Sequence, residues 1–287
     1  MLKRNLGAVY VLFAAFCWGL IGLFTRRLLA AGAAPGDIVA IRNTGALVML
    51  AVYFTFRDRS VFHVKRRDLW IFLGTGVVSV LLFTLCYFSC QERCSLAVSA
   101  ILLYTAPAMV VVMSAIFFKE SITKRKLLAL ALALLGCASV SGLWSGGLTV
   151  TVSGFLFGIG SAFFYALYSI FGRVALKKYA PFTVVFQTFV FAGFAALFVS
   201  DLGTVGQILS EPPLLLTALG LALVSTVLPY IFYTRGLAMM EGGKASILAS
   251  LEPVVAAFVG IFAFGEPLTA GVLGGLGCIL GCVYILR

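Results

Sequence analysis

Ten apolar runs succeed one another along the chain, separated by short polar links. They cover Gly7–Leu29, Asp37–Phe56, Leu69–Phe88, Ser95–Phe118, Leu127–Leu143, Gly154–Leu176, Phe182–Ser200, Leu214–Ala238, Ala245–Phe264 and Leu268–Leu286. A helix rises about 1.5 Å per residue and a bilayer core is about 30 Å thick, so about 20 apolar residues suffice to cross. Each run is therefore expected to be a spanning helix. No link is long enough for a soluble domain.

The first run follows Lys3 and Arg4 and ends near Ala30-Ala31-Gly32-Ala33, which has the look of a cleaved export signal. The run is longer than an ordinary signal core, and a related copy of it recurs mid-chain. It is read as a retained helix.

Composition agrees with the pattern. The 287 residues are 62% hydrophobic and 11% charged, against about 45–50% and about 25% in soluble domains. An all-α integral membrane protein follows. A net charge of +11 could suggest nucleic acid, but that needs Lys and Arg mixed with aromatics on a solvated face. Here the cations cluster between apolar runs, so no nucleic-acid partner is expected and the charge reports orientation instead. With the N-terminus inside, seventeen of the 21 cations fall on cytoplasmic segments: Lys3, Arg4, Arg57, Arg59, Lys65, Arg66, Arg67, Lys119, Lys124, Arg125, Lys126, Arg173, Lys177, Lys178, Arg235, Lys244 and Arg287. Three (Arg26, Arg27, Arg93) fall outside, and Arg42 lies within a span. Both ends are expected to be cytoplasmic.

The two halves, 1–146 and 147–287, read as copies. At an offset of 146, Tyr87 meets Tyr233, Ile101 meets Ile247, Pro107 meets Pro253, Phe118 meets Phe264, Glu120 meets Glu266 and Thr123 meets Thr269. At 147, Gly7 meets Gly154, Phe16 meets Phe163, Leu20 meets Leu167 and Arg26 meets Arg173. Five spans per copy is an odd number, so the second copy is expected to sit inverted, as in secondary transporters with substrate sites between repeats. The loop charges agree: "FFKESITKRK" is basic, and its copy "AFGEPLTAGV" carries no Lys or Arg.

Seven cysteines lie in or beside the runs, with Cys86, Cys90 and Cys94 on one helical face. The only histidine is His63, in a basic loop. With no histidine among these thiols, they are read as small packing residues, and neither metal nor cofactor is expected. Phosphate-loop and hydrolase motifs are missing too, so the sequence does not read as an enzyme or as an ATP-driven pump.

The stretches "LEPVVAAFVGIFAFGEPLT" (251–269), "YTAPAMVVVMSAIFFKESIT" (104–123) and "CWGLIGLF" (17–24) resemble the EamA-type drug/metabolite transporter superfamily, over nearly the whole chain. The resemblance implies a ten-helix bundle around a central cavity, alternating access, and a small metabolite such as an amino acid, sugar or drug-like compound as substrate. A bacterial cytoplasmic membrane is the implied location. The first copy departs from the second in one respect: Ala106 stands where the second has Glu252.

Glu252 is the leading candidate residue. It lies about eight residues, or about 12 Å, into its run, where a carboxyl group is costly and hence a functional suspect. Pro253 removes a backbone donor, so carbonyls near Ser250 are freed for a polar ligand. The alternative is a hydrogen-bonded acid beside a packing kink. Arg42, with Asn43 beside it, either receives a substrate carboxylate, pairs with Glu252, or snorkels outward. Trp18 and its counterpart Tyr165, then Tyr87 and Tyr233, Tyr104, and Tyr168 are expected to wall the cavity, where aromatic faces suit amphipathic or cationic molecules. Gln187 is a further polar candidate. Pro107, Glu120 and Glu266 are expected to shape hinges and turns. Gly271-xxx-Gly275, Gly277-xxx-Gly281 and Ala129-xxx-Ala133 permit close helix contact, within a monomer or across a homodimer.

Three functions fit these residues. They are an amino-acid or related metabolite exporter, a proton-coupled exporter of drugs or lipophilic cations, and a non-transporting receptor or scaffold.

Overall fold

The computed structural model describes residues 2–142 and 149–286, with the side chains of 2–5 excepted. Leu143, at the end of the fifth expected run, and the charges of Lys3, Arg4 and Arg287 lie outside this description.

All ten expected runs are helical where described. Eight are long and apolar enough to cross a membrane: α1 (Leu6–Ala30), α2 (Pro35–Arg57), α3 (Arg66–Gln91), α4 (Leu96–Phe118), α6 (Val152–Leu176), α7 (Pro181–Val199), α8 (Pro212–Leu237) and α9 (Gly242–Phe264). The other two, α5 (Lys124–Val140) and α10 (Ala270–Leu286), have 17 residues each. A short amphipathic helix, Leu202–Ser210, links α7 to α8 and was not expected. Its first turn is capped by Asp201, which accepts from Gly203 N at 3.0 Å and from Thr204 Oγ1 at 2.8 Å. These contacts hold the Asp201 carboxyl below the usual carboxylate range, the Thr204 hydroxyl foremost. Large apolar side chains face outward along the helices, among them Phe56, Phe198 and Phe262, each more than four-fifths exposed. A soluble protein would hide such a band, whereas lipid covers it here. The protein is a multi-pass membrane protein.

The spans are not all regular. α4 stops at Leu103, turns through Tyr104 and Thr105, and restarts at Ala106. α9 stops at Ala249, turns through Ser250 and Leu251, and restarts at Glu252. In each case proline stands in the first turn of the restarted helix, where its missing N–H costs nothing. α3 widens to a π-helix over Gly74–Leu81 and α8 over Leu223–Val227. In α8 the widened stretch lies just before Pro229, which has no N–H to donate, and within it Thr226 Oγ1 donates to Leu221 O at 3.0 Å.

Helices pair across the two halves. α1 packs on α8 and α3 on α6, while α2 packs on α7. α5 lies along α10, where Ala129, Ala133 and Ile279 are buried. Gly136 and Gly275 bring these two backbones together: a Cβ on Gly275 would meet Gly136 O at 2.7 Å, and a Cβ on Gly136 would meet Gly275 O at 3.0 Å. Of the small-residue positions noted in the sequence, Gly271, Gly275, Ala129 and Ala133 thus serve this internal pair. Gly277 has nothing within 4 Å. All seven cysteines are free, and five of them are buried as packing residues.

Gly275→Leu is expected to separate α5 from α10 and to destabilise the protein by about 1–3 kcal/mol, the usual cost of overpacking. Gly274→Leu, which meets nothing within 4 Å, should leave thermal unfolding in detergent unchanged. Equal melting of the two variants would contradict the packing described.

Candidate functional site

Aromatic side chains from α1, α6 and α8 meet in the interior. Trp18 stands edge-on to Tyr230 at 5.5 Å between ring centres and lies 5.3 Å from Tyr233. Tyr168 meets Tyr230 edge-on at 5.0 Å. Their hydroxyls are satisfied within the group: Tyr168 OH and Thr234 Oγ1 are 2.8 Å apart, as are Tyr233 OH and Ser169 Oγ. Edge-to-face contact with paired hydroxyls makes a stiff wall. It borders a cavity of about 10 Å3, room for about one water, lined also by Tyr165, Ser79 and Phe83.

Tyr165 separates this cavity from a second of similar size. The second lies between the two broken helices and is lined by Tyr104, Ala106, Pro107, Ser246, Ser250 and Glu252. Glu252 is the first residue of its restarted helix. First-turn amides of a helix point at whatever stands before them and favour an anion there. Ser246 and Ser250 are buried, and their hydroxyls have no hydrogen-bond partner. Beyond Tyr104 a wider cleft of about 490 Å3 opens, with Tyr87, Ala100 and Tyr104 on one side and Pro253, Ala256, Ala257 and Ile261 on the other.

Arg42 is 7% exposed, and its Nε has no hydrogen-bond partner. That is the reverse of a snorkelling side chain, whose charged end would reach water. Among the described residues it forms no ion pair with Glu252 within 4.0 Å. Asn43 is fully buried with both amide atoms unpartnered, and so is Ser225 Oγ on the π-helical stretch of α8. Buried polar atoms without partners are uncommon and costly.

Gln187 is placed differently from its expected cavity role. Its Nε2 donates to Val61 O at 3.0 Å and to Phe62 O at 3.4 Å. The link after α2 is thereby tied to α7, and Val61 is buried within the aromatic core. Tyr230 and Ser246 were not singled out in the sequence. Tyr230 has no repeat counterpart, since Thr84 stands 146 residues before it. Its only signal was helical spacing, three residues ahead of Tyr233.

Glu120 and Glu266, matched in the repeat, hold different partners. Glu120 accepts from Gly242 N at 2.9 Å and Gly243 N at 3.4 Å, and pairs with Arg173 and, at 3.8 Å, with Lys126. Lys126 also reaches Glu241 at 2.8 Å. Burial by itself would raise the Glu241 carboxyl, yet Lys126 and Lys244 hold it below the usual glutamate range. Glu266 pairs with Arg26 at 2.5 Å in an exposed setting. Each Arg–Glu pair joins one half of the chain to the other.

Comparison with known proteins agrees with this architecture. The model of the EamA-like transporter family matches residues 5–142 and again 152–287. An uncharacterised transporter of Archaeoglobus fulgidus is 30% identical, over 97% of this chain and 95% of its own. The uncharacterised inner membrane transporter YicL of Salmonella typhimurium is 25% identical, over 98% and 94%. The threonine/homoserine exporter RhtA of Escherichia coli is 28% identical, over 86% and 79%. A solved crystal structure shares the fold with a TM-score of 0.81 at 16% identity, over 97% of this chain and 95% of that one. The chain is a membrane transporter of the drug/metabolite kind and belongs to the EamA-like transporter family.

Proposed function

We propose that the chain is a secondary exporter of amino acids or closely related metabolites, working by alternating access through the aromatic-walled interior. The observation that carries this reading is Glu252. It opens a restarted helix between the two halves, ten residues after α9 begins at Gly242. That is a depth of about 15 Å, half the thickness of a bilayer core. Broken helices at the midplane are where transporters of this kind hold polar substrates. An amino acid offers an ammonium group for Glu252 and the tyrosine faces, and a carboxylate for Arg42, whose Nε stands unpartnered. The threonine/homoserine exporter among the relatives supports the same substrate class. In a proton-coupled variant of this reading, Glu252 carries the proton as well.

The proposed topology is ten spans in two inverted five-helix repeats, 1–146 and 147–287, with both ends cytoplasmic. Several matched features support it. The breaks of α4 and α9 fall at residues 104–105 and 250–251, an offset of 146. The π-helical stretches end at Leu81 and Val227, the same offset. Lys119 and Gly265 both take the left-handed conformation after their helices, with φ of 55° and 69°. Thr123 and Thr269 both accept from the amide three residues on. The short α5 and α10, about 26 Å long, are close to the core thickness. If they did not cross, Arg173, Lys177 and Lys178 would fall on the outer side, against the positive-inside bias.

In liposomes loaded with labelled threonine or a similar amino acid, Glu252→Gln, Trp18→Ala and Tyr165→Ala should each lower efflux by about tenfold or more, the loss of one strong contact. Unchanged flux in all three variants refutes the site. Binding seen by thermal shift without any flux would instead mark a receptor.

A fluorescent reporter that lights only in the cytoplasm should be bright when joined after Lys178 and dark when joined after Thr151. The opposite pattern is the signature of eight spans and excludes the inverted repeat.

A further inference from the structure

The two halves share a Phe, a Glu and a Thr at 118/264, 120/266 and 123/269, and an Arg meets each Glu, yet the two carboxylates are engaged differently. On the side of Glu120 the molecule is closed. Its carboxylate reaches across to the first-turn amides of α9, Gly242 N and Gly243 N. The segment Gly242–Ala249 packs along Ala106–Phe118. Glu120 is 7% exposed and Arg173, lying over the Phe118 ring, pairs with it. On the side of Glu266 the molecule is open. The segment that corresponds to Gly242–Ala249 is Leu96–Leu103, and no comparable packing joins it to Glu252–Phe264 among the described residues. The cleft of about 490 Å3 lies between them. Glu266 is 46% exposed, and Arg26, over the Phe264 ring, pairs with it. Counting back 146 residues from Gly242 and Gly243 gives Leu96 and Ala97, the first two residues of α4. As first-turn residues their amides have no acceptor within their own helix.

We propose that Glu120 and Glu266 are the two positions of one exchange latch. When the Glu120 side is shut, its carboxylate caps α9. When that side opens, Glu266 swings across with Arg26 and caps Leu96 and Ala97, shutting the other side. The latch rests on the alternating-access reading above and gives it named contacts. Breaking the Glu120 cluster alone would strip a buried carboxylate of two amides and an Arg, which is steeply unfavourable. A matching capture at the far end offsets that loss, so both states are reachable. A carboxylate before a helix N-terminus is favoured by the helix dipole as well as by the amides. The two sides are not fully equal. Lys126 and Glu241 add a further ion pair to the Glu120 cluster, and their counterparts are Val272 and Ser95. That excess makes the state with Glu120 engaged the resting one.

The test uses the full chain in lipid nanodiscs, without substrate, in a cysteine-free background. Spin labels at positions 96 and 268 report one side, and labels at 122 and 239 the other; all four residues are exposed. Glu120→Gln should shift the population about tenfold, so that the 96–268 distance shortens while the 122–239 distance lengthens. Glu266→Gln should keep the parent's main distances and deplete its short 96–268 population by a similar factor. Glu120→Asp should restore part of the parent distribution. Parent distances in Glu120→Gln, or lengthening of both pairs together, overturn the latch. If Glu120→Gln does not fold, Glu266→Gln decides alone, because its side chain is exposed: a short 96–268 population at the parent's level overturns the proposal. These distances need no substrate, so a wrong amino acid in the flux assay leaves this test standing.

Discussion

Two helices break at matched positions inside the apolar region and restart on a proline, and the cavities of the interior are arranged around that interruption. Hydrocarbon offers no hydrogen bonds, so a backbone that leaves the helical ladder there must be surrounded by protein or line a polar cavity. The turns at Tyr104–Thr105 and Ser250–Leu251 satisfy this by facing each other across a cavity walled by α6. Pro107 and Pro253 fix where the helices restart. The π-helical stretches of α3 and α8 flank the same interior.

The interruption also decides where charge can be kept. A full charge among apolar side chains is expensive unless dipoles or partners meet it. Glu252 begins a helix, so the ends of peptide dipoles and nearby hydroxyls attend it. Glu120 is buried too, but it is held by two amides and by Arg173. Arg42 has neither arrangement. Its unpartnered Nε, with Asn43 beside it, leaves binding capacity unused in the protein alone. Structural ion pairs elsewhere are completed within the chain. Asp68, for example, accepts from Lys178 at 2.6 Å and from Tyr179 at 2.8 Å. This difference separates a candidate ligand contact from a brace.

Much of this was legible in the sequence because a membrane narrows the choices. Apolar length alone placed the helices to within a few residues, and the offset of 146 marked the prolines at the breaks and the glutamates just past the helix ends. The sequence reading had Pro253 free carbonyls in the turn before it, with a packing kink as the alternative. The chain instead ends one helix and begins another, since Ser250 and Leu251 leave the ladder along with the proline. Gln187 looked like a cavity residue because it is polar and mid-span. Its true partners, the carbonyls of Val61 and Phe62, lie more than 120 residues away in sequence, and no local pattern reports such a contact. Tyr230 was hidden for the opposite reason: it is asymmetric between the halves, and symmetry was the main guide.

That guide had a further limit. A repeated sequence predicts equal environments, whereas a transporter at rest must hold its two halves unequally. The matched Arg–Glu pair is buried at one end and exposed at the other, and the eight-residue segment that opens α9 packs along the second half of α4, whereas among the described residues the segment that opens α4 does not pack along the second half of α9. The matched residues account for part of this: Gly242 and Gly243 stand where the first half has Leu96 and Ala97, and a Cβ on either glycine would press on Ser114 or Val111. One end is packed around Glu120, while a cleft lies open beside Glu266 at the other. The inequality of Glu120 and Glu266 is thus a property of the state, and Ala106 facing Glu252 is a property of the sequence. The first kind of asymmetry belongs to one conformation; the second stays fixed and leaves a single carboxyl group at the cavity between the broken helices.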